Sequence, residues 1–536
     1  MSFDLAVRVP LGGQLVQDYL ASVPSAQAYF GSHFTDLIAF ERKAAEVDAR
    51  LTGAPRTAWL DGVRAPGERA QQRLEAVRQG RGYVVTTGQQ PGLLGGPLYS
   101  LYKAVTAACL ADHLEQQLGR PVAPVFWTAS EDHDWQEADH AHWVDLENQL
   151  HRLTLPPVVG AGQQPLHKLA MGPGLNDVLD ALAGMMTGTD LAAAQLEHLR
   201  QHYRPGATLP EAFEGWLAEL LEPLGVLFVQ AHDPWLKQGS VTVLTKEIEQ
   251  TTEHEQRLAA RAAALGVAGY NVQVPILEGG VNVFVEADGG RERLYRDAEG
   301  FYLRHSGQRF TLQELASSLA DDPSRFSPNV LSRPVVESAV LPTLAYVAGP
   351  GELAYFAQLS PLFEAHGIEM PVIVPRLGAT VVESKVDKVL RKFDLEISQM
   401  ARPFHELAAE RARDDMPEEL RRALGAFRGA IGAQVGELTK AVQALDSTLK
   451  GTIGHVRSVA FDALDDVERK ALHAVKRENE IGLQQLEKAH LHLFPEGQPQ
   501  ERCFNALYYL SRYGPEFITE VARQFAEALP VREGAS

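Results

Sequence analysis

Apolar residues along this chain follow three rhythms, and each predicts a different kind of structure. Up to residue 80 the pattern is polar and helical, dense in Arg, Glu and Gln between Glu68 and Arg81. It then changes abruptly. Gly82-Tyr-Val-Val-Thr-Thr-Gly88 is a short β-branched run ending in glycine, which suits a buried strand entering a loop. The loop Gln89–Pro97 leads into a helical stretch from Leu98 to about Gln117, and a second apolar run, Pro124–Ser130, follows. Strand, glycine loop, helix and strand make one βαβ unit of a parallel sheet. Gly225–Ala231, Leu341–Ala348 and Pro371–Pro375 are further candidate parallel strands, with helical stretches at Gln238–Leu265 and Glu352–Ala365. Between Val272 and His305 the alternation drops to a period of two, with turns at Gly279-Gly280 and Asp288-Gly289-Gly290, predicting a small antiparallel sheet.

From Val381 to about Leu493 the pattern is helical throughout. Leu420, Leu424, Phe427, Ile431, Val435, Leu438, Val442, Leu445 and Leu449 recur in steps of four and three, the heptad seam of a coiled coil. Gly451 and Gly454 weaken a continuous rod, and Asp446-Ser447 can cap a new helix, so an antiparallel hairpin is expected. The expected fold class is α/β. A parallel-sheet core occupies 1–144 and 223–380 and carries the small sheet at about 272–306. The remaining parts are an insertion at 145–222, a helical coiled-coil domain at 381–494 and a segment at 495–536 that returns to the core.

Composition narrows what this architecture can serve. The formal net charge of -19 over 536 residues argues against duplex DNA or bulk RNA as partner, because neutralising a phosphate backbone takes clustered Lys and Arg. Only Cys109 and Cys503 are present, so neither a disulfide framework nor a CxxC zinc pattern can be built. The residues Met1–Pro10 lack the pattern of a signal peptide, and no apolar run reaches the ~20 residues a membrane span needs. A soluble, cytoplasmic protein is expected.

Three segments carry candidate chemistry. The first is Thr87-Gly-Gln-Gln-Pro-Gly-Leu-Leu-Gly-Gly-Pro-Leu-Tyr-Ser-Leu-Tyr-Lys103, where glycines between strand and helix let backbone N–H groups approach a ligand. It is neither a P-loop nor a GxGxxG fingerprint. Gln89 and Gln90 suit recognition of a polar substrate, beside Gly95, Gly96, Tyr99 and Lys103. The second, Ser130-Glu-Asp-His-Asp-Trp-Gln-Glu-Ala-Asp-His-Ala-His142, crowds carboxylates and imidazoles directly after a strand end. It reads either as a metal site or as an acid/base centre that also binds a substrate ammonium, with a solvated acidic loop as the bland alternative. The third joins Phe326–Pro334 to Tyr346-Val-Ala-Gly-Pro-Gly-Glu-Leu-Ala-Tyr355. Here Gly349, Gly351 and Glu352 start a helix, and Arg333 and Arg376 are candidate clamps for a carboxylate or phosphate.

Taken in order, TGQQPGLLGGPLYSLYKA, PVFWTASEDHDWQEADH, FSPNVLSRPVVE, AYVAGPGELAYFAQLSPLFE with MPVIVPR, and QERCFNALYYLSRYGPEF resemble the bacillithiol synthase family. The resemblance implies a Rossmann-like core with connective-peptide insertions, and a coiled-coil domain supporting a homodimer. It also implies the joining of L-cysteine to the amine of glucosaminyl-malate and an association with adenine nucleotide; because forming an amide from a carboxylate in water is uphill, ATP is the expected co-substrate, and no metal is expected. The chain has no HxGH or KMSKS-like signature, and Gly95–Tyr99 occupies the place of the former. The cysteine ligands of the zinc that related cysteine ligases use are also missing. Within this reading His133 would accept the amine's proton, with Asp132 and Asp134 as its catalytic companions. Glu131 and His140 would join Gln89, Gln90, Gly95, Gly96, Tyr99, Lys103, Arg333, Gly349, Gly351, Glu352 and Arg376 in binding substrate. Two other readings stand beside it: a metal-dependent hydrolase built on Glu131–Asp134, and a non-catalytic scaffold.

Overall fold

The computed structural model describes residues 3–51, 62–287, 290–446 and 449–531. The proposed turn residues Asp288 and Gly289, and Ser447 of the proposed cap, lie outside them. The chain forms two compact units, one of Leu5–Thr380 with the chain from Glu501 onward, the other centred on Val381–Gln500.

The first unit is built on a five-stranded parallel sheet. Its strands are β1 (Tyr83–Gln89), β2 (Val122–Thr128), β3 (Leu227–Gln230), β4 (Thr343–Ala348) and β5 (Val372–Pro375). Nearly every position in them is buried, as continuous β-branched runs require when both faces are covered. The spatial order is β3-β2-β1-β4-β5, with every neighbouring pair parallel. This is a Rossmann-like arrangement, and the order of connection reverses between β1 and β4. Helix α1 (Leu98–Leu118) returns the chain from β1 to β2. It is buried on most of its surface, packed between the sheet and the late helix Glu516–Glu527. That double cover explains why its sequence is apolar nearly all round. Cys109 on this helix is buried, as is Cys503.

The small antiparallel sheet is present and larger than the alternation predicted. Its strands are Gly280–Ala287, Gly290–Asp297, Gly300–Leu303, Arg309–Phe310 and Phe326–Pro328, the last pairing back onto the first. Other departures are local. Phe3–Arg8 is a strand inside the stretch expected to be helical, and the 145–222 segment begins with Leu150–Thr154 paired to His140–Val144. The helix expected over Glu352–Ala365 splits into Pro350–Phe356 and Ser360–Ala365. The break falls at Gln358, whose buried amide leaves the helical path to bond both the N–H and the C=O of Val274.

The second unit is helical. Two long helices, Glu418–Leu445 and Lys450–Glu478, form an antiparallel hairpin in which Arg428 of the first pairs with Asp465 and Glu468 of the second. Among the described residues no helix is long and apolar enough to cross a membrane.

Candidate active site

A cavity of about 810 Å³ lies at the carboxyl ends of the parallel strands, within the size range of small-molecule sites. All five strand ends contribute to it: Gly88 and Gln89 from β1, Ala129 after β2, Ala231 after β3, Gly349 after β4 and Arg376 after β5. Loops leaving β1 and β4 part in opposite directions where the strand order reverses, and the crevice between them is where open α/β sheets bind ligands. The antiparallel sheet supplies a further wall through Phe284, Arg291 and Arg293.

Lys103 organises the floor. It enters from the second turn of α1, is almost fully buried, and donates to Gly88 O at 2.8 Å and to Gln89 Oε1 at 3.0 Å. Its third partner is the Glu352 carboxylate at 2.6 Å. Glu352 also accepts from the Tyr346 hydroxyl at 2.7 Å and from the Gly349 N–H at 2.8 Å, which caps the helix α2 (Pro350–Phe356). Burial lowers the Lys103 pKa; for Glu352 burial pushes the other way, but Lys103 and the two hydrogen bonds outweigh it and hold the carboxyl below its ordinary range. The start of α2 is therefore already occupied by a carboxylate of the chain itself.

The segment after β2 is tied to the glycine loop. Gln90 donates to Asp134 O at 3.0 Å, and the Ala129 N–H donates to Gln89 O at 3.0 Å. Asp132 accepts the backbone N–H of His133 at 2.7 Å and of Asp134 at 3.2 Å, so it fixes the loop and not the imidazole. His133 lines the cavity, its Nδ1 is shielded from solvent without a hydrogen bond, and the nearest Asp132 oxygen stands 3.8 Å away. Glu131 is buried and ion-paired with Lys237, which also donates to Phe326 O. Burial raises the Glu131 pKa and Lys237 opposes it. Behind this loop the rings of His167 and His232 stack at 4.2 Å around Ser130, and burial pushes both imidazoles down to about 4.

Twelve of the sixteen residues expected from the sequence line the cavity: Gln89, Gln90, Tyr99, Lys103, Glu131, Asp132, His133, Arg333, Gly349, Gly351, Glu352 and Arg376. Four do not. Gly95 and Gly96 are turned into the protein: the Gly95 N–H donates to the Tyr203 hydroxyl at 2.8 Å, the Gly96 N–H to Leu93 O, and a β-carbon on Gly95 would collide with the Trp216 ring. Asp134 caps the short helix Trp135–Ala138 by accepting from the Glu137 N–H. His140 starts the neighbouring hairpin strand, its Nδ1 against Gln136 O and Asp139. Arg376 lines the cavity but spends its guanidinium on Glu501 in a two-pronged pair at 2.8 and 3.2 Å. Arg333 likewise pairs with Glu337 at 2.8 Å and reaches the Tyr346 hydroxyl at 3.2 Å.

Sequence reasoning missed Trp127, Asn329, Tyr346 and Tyr355 as lining groups, although all stand inside the motifs already singled out. It also missed Arg291 and Arg293. Their spacing of two places them on one face of a strand, but which face meets the cavity is decided by the packing of the two sheets. The lining carries six cationic side chains (Lys103, Arg291, Arg293, Arg333, Arg376, Arg502) against four carboxylates (Glu131, Asp132, Glu137, Glu352), a local reversal of the chain's acidic total. No group of converging metal-ligand side chains found among the described residues includes any residue from Ser130 to His140.

Fold and cavity together define a Rossmann-like small-molecule enzyme core joined to a helical coiled-coil domain. Residues 4–377 match the N-terminal Rossmann-like domain, and residues 379–528 the C-terminal coiled-coil domain, of bacillithiol biosynthesis BshC; the chain belongs to this family. Similar proteins, each named a cysteine ligase BshC, include that of Salinibacter ruber, 35% identical over 85% of this chain and 83% of its own length. The relative in Koribacter versatilis is 30% identical over 95% of both chains, and that in Symbiobacterium thermophilum 33% over 84% and 82%.

Proposed function

We propose that this protein is a ligase that joins the carboxyl group of L-cysteine to the amine of glucosaminyl-malate, the amide-forming step that yields bacillithiol. The observation that carries this reading is the convergence of all five strand ends on one cation-rich cavity in a chain of the BshC family. Glucosaminyl-malate brings two carboxylates, and the guanidinium groups of Arg291 and Arg293, which donate to neutral groups, suit an anionic substrate. Gln89, held by Lys103, and Gln90 would orient cysteine.

Amide formation from a free carboxylate is uphill in water, so the carboxyl must first be activated. ATP is the co-substrate that would supply the group that carries off the carboxylate oxygen. Arg291 and Arg293, which donate to neutral groups, are the residues suited to its phosphates, because the start of α2 is taken by Glu352 and Arg333 is paired with Glu337. The neutral amine then attacks the activated carbonyl, and His133, which lines the cavity, takes the proton the new amide nitrogen must lose. Asp132 fixes the backbone that carries His133. The same reading sets the reaction in the cytoplasm and has the coiled-coil domain hold two copies together.

The test is incubation of purified protein with cysteine, glucosaminyl-malate and ATP, following bacillithiol by thiol-labelled chromatography and nucleotide products in parallel. Product that depends on all three supports the reading; none from folded protein overturns it. His133→Ala is expected to lower kcat by ~10²–10⁴-fold.

A further inference from the structure

Outside the cavity, the 145–222 segment brings together side chains that the proposed reaction does not use. His198 and His202 stand four apart on the helix Asp190–His202, so they share one face. Glu219 on the helix Leu209–Leu220 meets them: its carboxylate takes the His198 Nε2 on one oxygen and lies 3.1 Å from the His202 Nε2 on the other. One ligand-type atom from each residue falls within 4.8 Å of the other two. The two rings are nearly perpendicular, 81° apart with centroids at 5.9 Å.

Two details show that this geometry is built. The His202 Nε2 is shielded from solvent and makes no hydrogen bond of acceptable geometry, although it is aimed at Glu219. Its ring is also wedged against Gly215, one turn before Glu219 on the same helix face, where a β-carbon would lie 2.5 Å from the His202 Nδ1. Glycine weakens a helix interior relative to alanine. Here its presence leaves room for the imidazole and fixes which nitrogen points at the carboxylate.

We propose that His198, His202 and Glu219 bind one divalent transition-metal ion of the zinc class, with water completing the coordination. Imidazole and carboxylate are the ligands such ions prefer, and two ligand atoms at ~2.0–2.1 Å from a tetrahedral ion stand about 3.3 Å apart; the 3.1 Å between the His202 Nε2 and Glu219 is close to that, and the 2.5 Å His198–Glu219 hydrogen bond opens when the ion takes the proton's place. His198 and Glu219 open to solvent, so an ion can enter from their side and reach the shielded His202 Nε2. The ion joins two helices of the insertion and stiffens it.

The full-length protein, stripped with a chelator, is titrated with Zn²⁺ alone and separately with Co²⁺, whose visible absorption reports tetrahedral coordination. One equivalent is expected to bind and to raise the melting temperature. His198→Ala, His202→Ala and Glu219→Gln should each weaken binding at least tenfold. Gly215→Ala, with every ligand intact, should weaken it by displacing the His202 ring, while circular dichroism confirms that the helices persist. His254→Gln, in the separate buried group with Glu247 and His366, should leave zinc binding unchanged. Binding that survives the His198→Ala/His202→Ala double variant, binding lost on His254→Gln, or no binding to the wild-type protein would each overturn the proposal.

Discussion

Lys103 is a buried ammonium whose three partners, Gly88 O, Gln89 Oε1 and Glu352, all belong to the cavity floor. Breaking such a pair from one side strands a charge, at a cost of about 3–5 kcal/mol. Lys103→Met is therefore expected to lower stability by roughly that much. Adding Glu352→Gln should then cost less than it does in the wild-type background, a coupling that urea denaturation of the four proteins measures. Glu214 carries a pH signature instead. Burial, with Asp233 nearby, raises its carboxyl from the ordinary 4.5 to about 7, while Thr128 donates to it. The folded protein holds this proton more tightly than the unfolded chain, so stability is lost as pH rises from 4.5 to about 7 and levels above. Glu214→Gln removes that loss: relative to wild type it should gain about 2.5 kcal/mol between pH 5 and pH 8 in denaturation measurements. His167 and His232 act oppositely, since imidazoles depressed from 6.5 to about 4 cost stability as pH falls through that window. Local residues of the site were legible because strand ends are: Gln89 closes one apolar run, and Asp132, His133, Gly349 and Glu352 lie within five residues of the end of another. Their partners were not. Glu501 for Arg376 and Lys237 for Glu131 come from distant parts of the chain, and no local pattern announces them.

At the scale of elements, the glycine loop after β1 works as packing where the sequence suggested ligand contact. Gly95 adopts φ +82° with Trp216 against it, so Gly95→Ala adds both backbone strain and a collision in a packed interior. A loss of about 3 kcal/mol is expected, visible as a lower melting temperature. Gly351 is the contrast: it lines the cavity, keeps an ordinary φ, and a β-carbon there would meet nothing within 4 Å. Gly351→Ala should fold as wild type and change only substrate KM. If both variants melt alike, the division of this glycine-rich chemistry into packing and binding halves fails. The five parallel strands could be read from sequence because burial on both faces leaves a continuous apolar signal. The hairpin strand Leu150–Thr154 could not, since half its positions are polar and its pairing with His140–Val144 depends on the turn between them. The break near Gln358 was half legible: Pro361, which has no N–H to continue the helix, opens the next one, whereas the long-range bond of Gln358 to Val274 has no local signature.

At the scale of the whole molecule, charge and apolar surface tell different stories. A net charge of -19 makes the molecule as a whole unattractive to polyanions, while the cavity lining still presents Arg291 and Arg293 with neutral partners. The helical hairpin leaves a different imbalance. Glu418–Leu445 runs for 28 residues with none fully buried, and Phe427, Leu438 and Leu445 of the predicted seam are exposed, as are Val456, Val459 and Val467 on the second helix. Two helices packed side by side cover only one stripe each, whereas heptad spacing with this much exposed apolar surface suits a further helical partner. On the proposed reading a second copy of the chain would meet that need, a two-fold pair being the commonest closed arrangement for soluble oligomers. Sedimentation equilibrium should accordingly give twice the chain mass. Leu438→Glu combined with Val459→Glu should shift the equilibrium at least tenfold toward monomer, with helical content preserved. Because these positions lie on the hairpin, far along the sequence from every cavity residue, ligase turnover per folded chain measured above the monomer–dimer midpoint should match wild type. A wild-type protein that stays monomeric throughout the micromolar range would leave the exposed seam to some other partner and sink the dimer.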